Sequence, residues 1–408
     1  MEKLLFLSHV FPAPPNKGNK IRAFNLIKFL SQYFEIHLGC FSDRDLTEDD
    51  LNQLKPYIAQ LYYVPIKHRT THLLTSFSLS LLTNKTITYA YFSNTKLQTW
   101  VDSQVKQYKF NTCYVFCTSM AQYATKGIST RAYQINLLLD LVDVDSSKWL
   151  LFSNKAQFIK KWIYQREAKK LASYEKALVK QFNTCLLVSQ QEAHELTQMA
   201  PNYGNKIHFI ENGVDTVFFS QKPTISLQLK VPYIVFTGAM DYWANVDAML
   251  WFIKNVWSDL LEILPELKLF IVGSNPHKAL RNYHGKNNIY ITGYVQDIRP
   301  YLKNSLFAIA PLQISRGIQN KVLEAMASGK PIILSPSAAN GLNLNQEQLS
   351  LICQTKEDYL TQIQTLYNNH FLIERISKAN QNWIKSNYSW EQCLNKLFHN
   401  KIIKISKD

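Results

Sequence analysis

The stretch RGIQNKVLEAMASGKPII, residues 316–333, is the most informative in the sequence, because it places a turn and an apolar helix shortly after a predicted strand at residues 307–310. Gly317 permits a tight turn, and the amides of Gly317 and Ile318 would be free N–H groups at a helix N-terminus, which suit a phosphate. Arg316 and Lys321 add two cations beside the same position. Glu324 follows Lys321 by three residues and is suited to accept hydrogen bonds from a ribose diol.

The same stretch has a second interpretation, because helix starts commonly carry charged residues for reasons of stability alone. On that view it is an ordinary capped helix with a solvated charge pair. The spacing of the residues does not separate the two interpretations.

Short apolar runs alternate with helical patterns on both sides of this stretch, which is typical of parallel α/β units. Strands are predicted at residues 4–8, 36–41, 61–66, 112–117, 135–142 and 185–189, and again at 233–237, 267–272, 289–292, 307–310, 331–334 and 351–353. Helices are predicted at residues 21–32, 97–107, 156–180, 246–264, 322–328 and 389–404. We therefore expect an α/β protein with two open parallel sheets, divided in the polar segment 212–232.

Composition and charge restrict the class of protein. The chain has 408 residues, of which 46% are hydrophobic and 18% charged, which excludes a disordered or coiled-coil chain. The net charge of +15 predicts anionic partners, namely nucleotides, sugar phosphates, nucleic acid or an acidic membrane face. The six cysteines form no zinc or disulfide pattern. Without a signal peptide or an apolar run long enough to span a membrane, a cytoplasmic location is expected.

Several motifs together resemble the family 4 glycosyltransferases, which have the GT-B fold of two Rossmann-like domains facing each other across a cleft. The decisive one is KVLEAMASGKPII at residues 321–333, which is similar to the donor-site signature of that family. The others occur in the family's order: PPNKGNKIR at 14–22, ENGVD at 211–215, FTGAMDYWANVD at 236–247, IVG at 271–273, ITGYVQD at 291–297 and YSW at 388–390. Within the family, the chain is most similar to bacterial sugar transferases associated with exopolysaccharide and PEP-CTERM gene clusters.

The resemblance implies a domain plan and an activity. Residues 1–212 would form the acceptor-side domain, residues 213–386 the nucleotide-sugar donor domain, and residues 387–408 a helix that crosses back to the first domain. The enzyme would transfer a sugar from a nucleotide-sugar donor to a glycan or lipid-linked acceptor, with retention of configuration, in polysaccharide biosynthesis. Gly238 would border the donor diphosphate. No metal and no cofactor beyond the donor substrate are expected, and peripheral contact with the anionic inner face of the cell membrane is a further expectation.

Two departures from the family pattern affect the expected roles. The family usually has two glutamates separated by seven residues in the donor motif, and here Glu324 matches the second while Arg316 replaces the first. The family's Arg and Lys after the first donor-domain strand are also missing. We therefore expect Arg316 and Lys321 to bind the leaving diphosphate and to stabilise its charge in the transition state.

A second cluster lies in LLLDLVDVDSSKW, residues 137–149, where acids gather at a predicted strand end. Asp143 and Asp145 form a D-x-D element, which could hold Mg²⁺ or Mn²⁺ against a phosphate. In the GT-B interpretation Asp143 contacts the donor sugar or the acceptor without a metal, and we count it among the catalytic candidates. The alternative is that these acids cap the following helix.

A third cluster is NKGNKIR, residues 16–22. Gly18 would allow the backbone to approach the donor diphosphate, and the following helix would offer free amides. Lys20 and Arg22 are candidates for contact with a phosphate-bearing acceptor. The alternative is a basic surface loop without a specific role.

Two other functions are compatible with parts of the sequence. One is a metal-dependent phosphatase or D-x-D transferase centred on Asp143 and Asp145. The other is a non-enzymatic basic protein that binds nucleic acid, but the excess charge is spread along the chain and no aromatic–basic recognition motif is present. We therefore expect no nucleic-acid partner.

Overall fold

The computed structural model describes residues 1–125, 135–223, 231–315 and 317–404. Its residues group into two units, each with its own sheet. Unit 1 comprises Met1–Glu211 and Leu394–Asp408, and unit 2 comprises Asn212–Cys393. In the described part of the chain, no helix is long and apolar enough to cross a membrane.

Unit 1 is built on a parallel sheet in which seven described strands have the order β3-β2-β1-β4-β5-β6-β7. The strands are β1 (Glu2–Ser8), β2 (Phe34–Ser42), β3 (Gln60–Pro65), β4 (Phe110–Phe116), β5 (Asn136–Val142), β6 (Thr184–Leu187) and β7 (Ile207–Phe209). The central strand β1 pairs with β2 on one side and with β4 on the other. The chain order therefore reverses between β1 and β4, and in open α/β sheets such a switch point is where ligands bind.

Helices connect these strands, as parallel pairing requires. They are α1 (Gly18–Leu30), α2 (Glu48–Leu54), α3 (Arg69–Thr83), α4 (Ile87–Tyr91), α5 (Thr95–Gln107), α6 (Ala121–Tyr123), α7 (Asp145–Lys155), α8 (Phe158–Gln181), α9 (Gln190–Met199). Residues such as Leu5, Val115 and Leu139 on the central strands are buried, because helices cover the sheet and leave its strands as nearly continuous apolar runs.

Unit 2 contains a second parallel sheet, of five described strands in the order β10-β9-β8-β11-β12. The strands are β8 (Tyr233–Thr237), β9 (Lys268–Val272), β10 (Ile289–Gly293), β11 (Phe307–Ala310) and β12 (Ile332–Leu334). Here the switch point lies between β8 and β11, which are hydrogen-bonded neighbours although β9 and β10 separate them in the chain.

The helices of unit 2 begin with α10 (Thr216–Ser220) and α11 (Trp243–Phe252), and α11 continues through a π-helical turn (Ile253–Trp257) into α12 (Ser258–Ile263). The others are α13 (Lys278–Arg281), α14 (Arg299–Asn304), α15 (Asn320–Ala327), α16 (Pro336–Ala339), α17 (Gln346–Leu349), α18 (Lys356–Asn368) and α19 (His370–Asn387). The last helix, α20 (Trp390–His399), starts in unit 2, and its residues from Leu394 onward belong to unit 1.

The predicted α/β class with two parallel sheets is confirmed. One predicted strand is not formed, and one observed strand was not predicted. Residues 351–353 form only an isolated bridge, between Ile352 and Leu334. The edge strand β7 was not predicted, because its three residues, Ile-His-Phe, are too few to produce a recognisable pattern.

Candidate functional site

The switch point of unit 2 brings two glycine loops into close contact. Gly238 follows β8 and Gly273 follows β9, and the Gly238 amide donates to the carbonyl of Val272 at 3.0 Å. A Cβ atom at Gly273 would lie 1.6 Å from the carbonyl oxygen of Gly238. No larger residue fits at Gly273, so the backbones of the two loops stay in direct contact, and the side chains of Asn245 and Lys321 border Gly238.

The turn predicted after β11 is present. Gly317 has a φ of 61°, a left-handed conformation that favours glycine. Ile318 is buried, and α15 begins at Asn320 with Gln319 as its N-cap residue. Arg316, the first residue of the motif, lies outside the described residues, so its predicted diphosphate contact stays a prediction.

Lys321 lies in the first turn of α15, and its ammonium group is directed at the loop that follows β8 and begins at Gly238, called the β8 loop or Gly238 loop below. Its Nζ hydrogen-bonds the side-chain oxygen of Asn245 and lies 4.2 Å from the centre of the Phe236 ring. The Asn245 side chain is buried and donates to the carbonyl of Ala239 at 2.8 Å. Burial lowers the pKa of Lys321 to about 7. A cation at this position is costly until an anion arrives, so the site is suited to a ligand that brings negative charge.

Glu324 lies one helical turn beyond Lys321 on the same helix, a spacing that puts the two side chains on one face. Burial raises the pKa of Glu324 to about 7, and the neighbouring Lys321 opposes the rise. The two groups therefore titrate over the same pH range, near pH 7, and the protonation of one affects that of the other. A carboxylate at this position can accept hydrogen bonds from a diol, as the sequence predicted, and that role stays a prediction.

The switch point of unit 1 carries a histidine. His9 follows β1, and its Nε2 lies 3.2 Å from the Asn19 side-chain nitrogen and 3.9 Å from Sγ of Cys117, which follows β4. Burial lowers the pKa of His9 to about 4, with a smaller lowering effect from Lys148. The ring is therefore neutral at physiological pH and available as a hydrogen-bonding group.

The two acids of the D-x-D element share a lysine. Lys148 Nζ contacts the Asp143 carboxylate and lies 3.8 Å from that of Asp145. The pair of acids raises the pKa of Lys148 against the effect of burial, so the ammonium stays charged. No group of three or more potential metal ligands among His, Cys, Asp and Glu occurs among the described residues.

Two glutamates from other helices hold the start of α7, which carries this cluster. The Val144 amide donates to Glu192 at 2.6 Å, and the Ser146 amide donates to Glu175 at 3.1 Å. The N-cap of α7 is Val144, without a side-chain cap. Asp143 is therefore paired with Lys148 rather than used as the cap that the alternative interpretation assumed.

The three candidates of the first loop take different positions. Gly18 is the first residue of α1 and has open space where a Cβ would be. Lys20 lies 3.6 Å from Asp43 and is largely buried. Arg22 is 1% exposed and pairs with Asp140, which also accepts from the Tyr114 hydroxyl at 2.7 Å. The Arg22 guanidinium is thus enclosed within the framework of unit 1.

The sequence thus located the helix start at Lys321, Glu324 and the Gly238 loop, and the structure brings them together. The sequence pattern did not single out Asn245, which hydrogen-bonds Lys321. It also did not single out Lys148, which contacts Asp143 and lies close to Asp145. Both lie within the motifs quoted above. Their partners are distant in sequence or depend on a helical turn that begins only at Asp145, so nothing in the local pattern distinguished them.

Comparison with known proteins finds a family similar to part of unit 2. Residues 231–369 match the family described as Glycosyl transferases group 1. This range contains both glycine loops and all of α15. No curated protein matches the chain.

Solved structures match over nearly the full length of the chain at low sequence identity. Sucrose-phosphate synthase from Thermosynechococcus elongatus is 14% identical with a TM-score of 0.68, covering 98% of this chain and 99% of that one. HepE from Anabaena, solved with UDP-glucose, is 13% identical with a TM-score of 0.66 and the same coverage. WaaG, a glycosyltransferase involved in lipopolysaccharide biosynthesis, is 11% identical with a TM-score of 0.65, covering 99% and 100%. The chain therefore has the GT-B fold, and its residues 231–369 are similar to the family described as Glycosyl transferases group 1.

Proposed function

We propose that this protein is a family 4 glycosyltransferase that moves a sugar, with retention of configuration, from a nucleotide-sugar donor to a glycan or lipid-linked acceptor. We place it in polysaccharide biosynthesis, most similar to the exopolysaccharide type. The observation that carries the proposal is the arrangement at the unit 2 switch point. There a half-buried lysine with a lowered pKa, a neighbouring glutamate and two glycine loops meet at the edge of the sheet where ligands bind.

Each group has a place in donor binding. The diphosphate would lie against the Gly238 loop and the start of α15, where Lys321 becomes fully charged on meeting it. Glu324 would accept hydrogen bonds from the ribose hydroxyls. Since charge accumulates on the diphosphate as the sugar leaves, the Lys321 ammonium stabilises the transition state more than the ground state. Arg316 is proposed to assist in the same way.

The acceptor side is proposed to use the cluster at the end of β1, β4 and β5. Asp143, held by Lys148, is suited to hydrogen-bond a sugar hydroxyl. Neutral His9 offers a second polar contact at the same edge. Because Lys148 already pairs with Asp143 and lies close to Asp145, it offsets part of their charge, and this cluster gives little support to the metal-dependent alternative. We propose turnover without a divalent metal.

Nucleotide binding tests the proposal. HepE was solved with UDP and UDP-glucose, so a thermal-shift and calorimetry panel begins with uridine nucleotides and continues through guanosine, adenosine and thymidine diphosphates and their sugars. A ligand at about 100 times its Kd should stabilise the fold by about 2.7 kcal/mol. Lys321→Met and Glu324→Gln should each weaken binding.

Matched controls are available on α19 in the same unit. Glu374 and Lys378 are exposed and also lie one helical turn apart. Glu374→Gln and Lys378→Met should bind nucleotide as the wild type does. If no nucleotide in the panel binds, or if Lys321→Met binds as tightly as the controls, the proposed donor site is wrong. If a chelator abolishes turnover and Mn²⁺ restores it, the metal-independent mechanism is wrong.

A further inference from the structure

Unit 1 exposes large apolar side chains on two of its helices. On α3, Leu73, Leu74, Leu79, Leu81 and Leu82 face solvent, and Leu82 is 84% exposed. At the start of α8, Phe158 is 87% exposed, Ile159 76% and Trp162 55%. Single exposed apolar residues are ordinary, but a contiguous group of this kind marks an interaction site.

A direct contact holds the two helices together, and we call their exposed apolar residues the α3–α8 surface. Arg166 of α8 donates through both terminal guanidinium nitrogens to Ser80 of α3, to its hydroxyl and to its carbonyl, each at 2.9 Å. Ser80 lies between the exposed leucines at 79, 81 and 82. Trp162 precedes Arg166 by one helical turn and lies on the same side of α8. Ser80 is itself buried, so this contact joins α8 to the inner side of α3, and the exposed apolar residues of both helices belong to adjacent elements of unit 1.

The residues at the tip of α8 also share one face. Phe158 and Trp162 are four residues apart, and Ile159 and Trp162 are three apart. The backbone of Phe158 has a φ of 48°, a conformation that is unfavourable for an aromatic residue. This strained backbone presents a nearly fully exposed ring, which is the kind of position that persists where function needs it.

The charge around the surface has one sign. The sequence contains no Asp or Glu between residues 51 and 101, which include α3, or between residues 146 and 166, which include the tip of α8. Lys160 and Lys161 are exposed between Ile159 and Trp162, and Lys85 is exposed where α3 ends. The nearest acid on α8, Glu167, is buried and accepts from the amides of Ile87 and Thr88.

We propose that the α3–α8 surface docks on an anionic lipid bilayer, with Phe158, Ile159 and Trp162 entering the interfacial region and Lys160 and Lys161 contacting the headgroups. A helix that combines Trp, Phe and Leu with lysines and no acids is characteristic of interfacial membrane binding. The apolar residues supply insertion and the lysines supply attraction to negative lipids. An anionic bilayer carries negative charge over its whole surface, so it can pair with the exposed lysines beside Trp162 wherever the apolar side chains insert. A protein partner would need an acidic patch placed opposite these lysines.

This inference does not depend on glycosyl transfer. It is measured by lipid binding, and the proposed function is measured by nucleotide binding, so either can fail alone. The residues used here are absent from both proposed donor and acceptor sites.

Vesicle flotation tests the proposal, with vesicles of phosphatidylcholine alone or mixed with phosphatidylglycerol. The wild type should float with the mixed vesicles and only weakly with phosphatidylcholine. The triple variant Phe158→Ser, Ile159→Ser, Trp162→Ser should partition at least about tenfold less, the scale of losing one buried apolar side chain. Lys160→Glu with Lys161→Glu should lower partitioning by more than about 25-fold, since each lysine near the anionic surface is worth roughly a factor of five.

Controls come from unit 2, where Phe371 is also exposed and Lys254 and Lys378 are exposed lysines. Phe371→Ser, and Lys254→Glu with Lys378→Glu, should float as the wild type does. Circular dichroism and thermal melting verify that each variant is folded.

Three results would overturn the proposal. The first is a wild type that does not bind the mixed vesicles. The second is a folded triple variant that binds them as well as Phe371→Ser does. The third, read by light scattering, is a wild type that forms a dimer which the triple variant loses, without any vesicle binding, because the surface would then join two copies of this chain.

Discussion

At the scale of single residues, Lys321 and Glu324 make a pH dependence testable. Both groups have a pKa near 7 in the free protein, Lys321 lowered and Glu324 raised by burial. A bound diphosphate favours protonated Lys321, and a ribose diol favours ionised Glu324. Nucleotide affinity should therefore be greatest near pH 7. It should fall on the alkaline side because Lys321 must take up a proton, and on the acid side because Glu324 must lose one.

Two variants separate the limbs of that profile in calorimetric titrations. Lys321→Met should bind more weakly and lose the decline above pH 7, while Glu324→Gln should lose the decline below pH 7. Each limb should approach at most about tenfold per pH unit. The ionisation of the nucleotide itself affects all three proteins equally and cancels in the comparison. Identical profiles in all three would show that neither group touches the ligand.

Gly273 allows a stability prediction at the same scale. Its Cβ would overlap the carbonyl oxygen of Gly238, so Gly273→Ala should move the β8 loop and cost about 3 kcal/mol or more of unfolding free energy. Gly293 is the matched control, because it has a φ of 72° but open space around its Cβ position. Gly293→Ala should cost only about 1–2 kcal/mol from backbone strain. Equal losses in urea titration would contradict the close approach.

At the scale of elements, the start of α7 depends on a buried acid. Glu175 accepts from the Ser146 amide at 3.1 Å and from its hydroxyl at 2.5 Å, and burial raises the pKa of Glu175 to about 8. The folded state therefore binds more protons than the unfolded state between the ordinary pKa of 4.5 and about 8. Stability from this group is complete below that window and is lost as the pH rises through it.

Glu175→Gln keeps the shape and an acceptor oxygen but removes the titration. The variant should gain stability relative to the wild type as the pH rises from 4.5 to 8, by about 4 kcal/mol at the upper end, since each pKa unit corresponds to about 1.4 kcal/mol. Glu195→Gln on α9 is a control for an acid that is less enclosed. Chemical denaturation at several pH values measures the difference, and a difference that does not change with pH would refute the assignment.

The elements themselves were predictable to different degrees. The strands β8 and β11 have the predicted bounds, because a strand buried on both faces is a continuous apolar run ended by polar or turn residues. The helix after β11 begins at Asn320 rather than at residue 322, since its first turn is polar and its apolar pattern starts later. The π-helical turn at Ile253–Trp257 leaves no signal in the sequence. Contacts such as that of Lys148 with Asp143 depend on where a turn begins, which the apolar pattern locates only to within a few residues.

At the scale of the whole molecule, the chain contains two hydrophobic cores that belong to different units. One core includes Leu5, Val115 and Leu187 of unit 1, and the other includes Val235, Ile309 and Leu366 of unit 2. The C-terminal residues complete the first unit: Leu397 is fully buried, and the Phe398 ring lies 4.7 Å from that of Tyr33. Unit 1 is therefore formed by two separate stretches of the sequence, with unit 2 between them along the chain.

Scanning calorimetry should consequently resolve two transitions, because each unit has its own core and units of this size commonly unfold separately. Leu397→Ala and Leu366→Ala remove the same atoms from fully buried positions in unit 1 and unit 2, and each should cost about 2–5 kcal/mol. Leu397→Ala should lower one transition and Leu366→Ala the other, and a nucleotide that binds at Lys321 should raise only the transition that Leu366→Ala lowers. That agreement would assign the ligand to unit 2 without any kinetic measurement. If both variants shifted a single transition equally, the two cores would unfold as one cooperative structure, and the last helix, which begins in one unit and ends in the other, would be the first connection to examine.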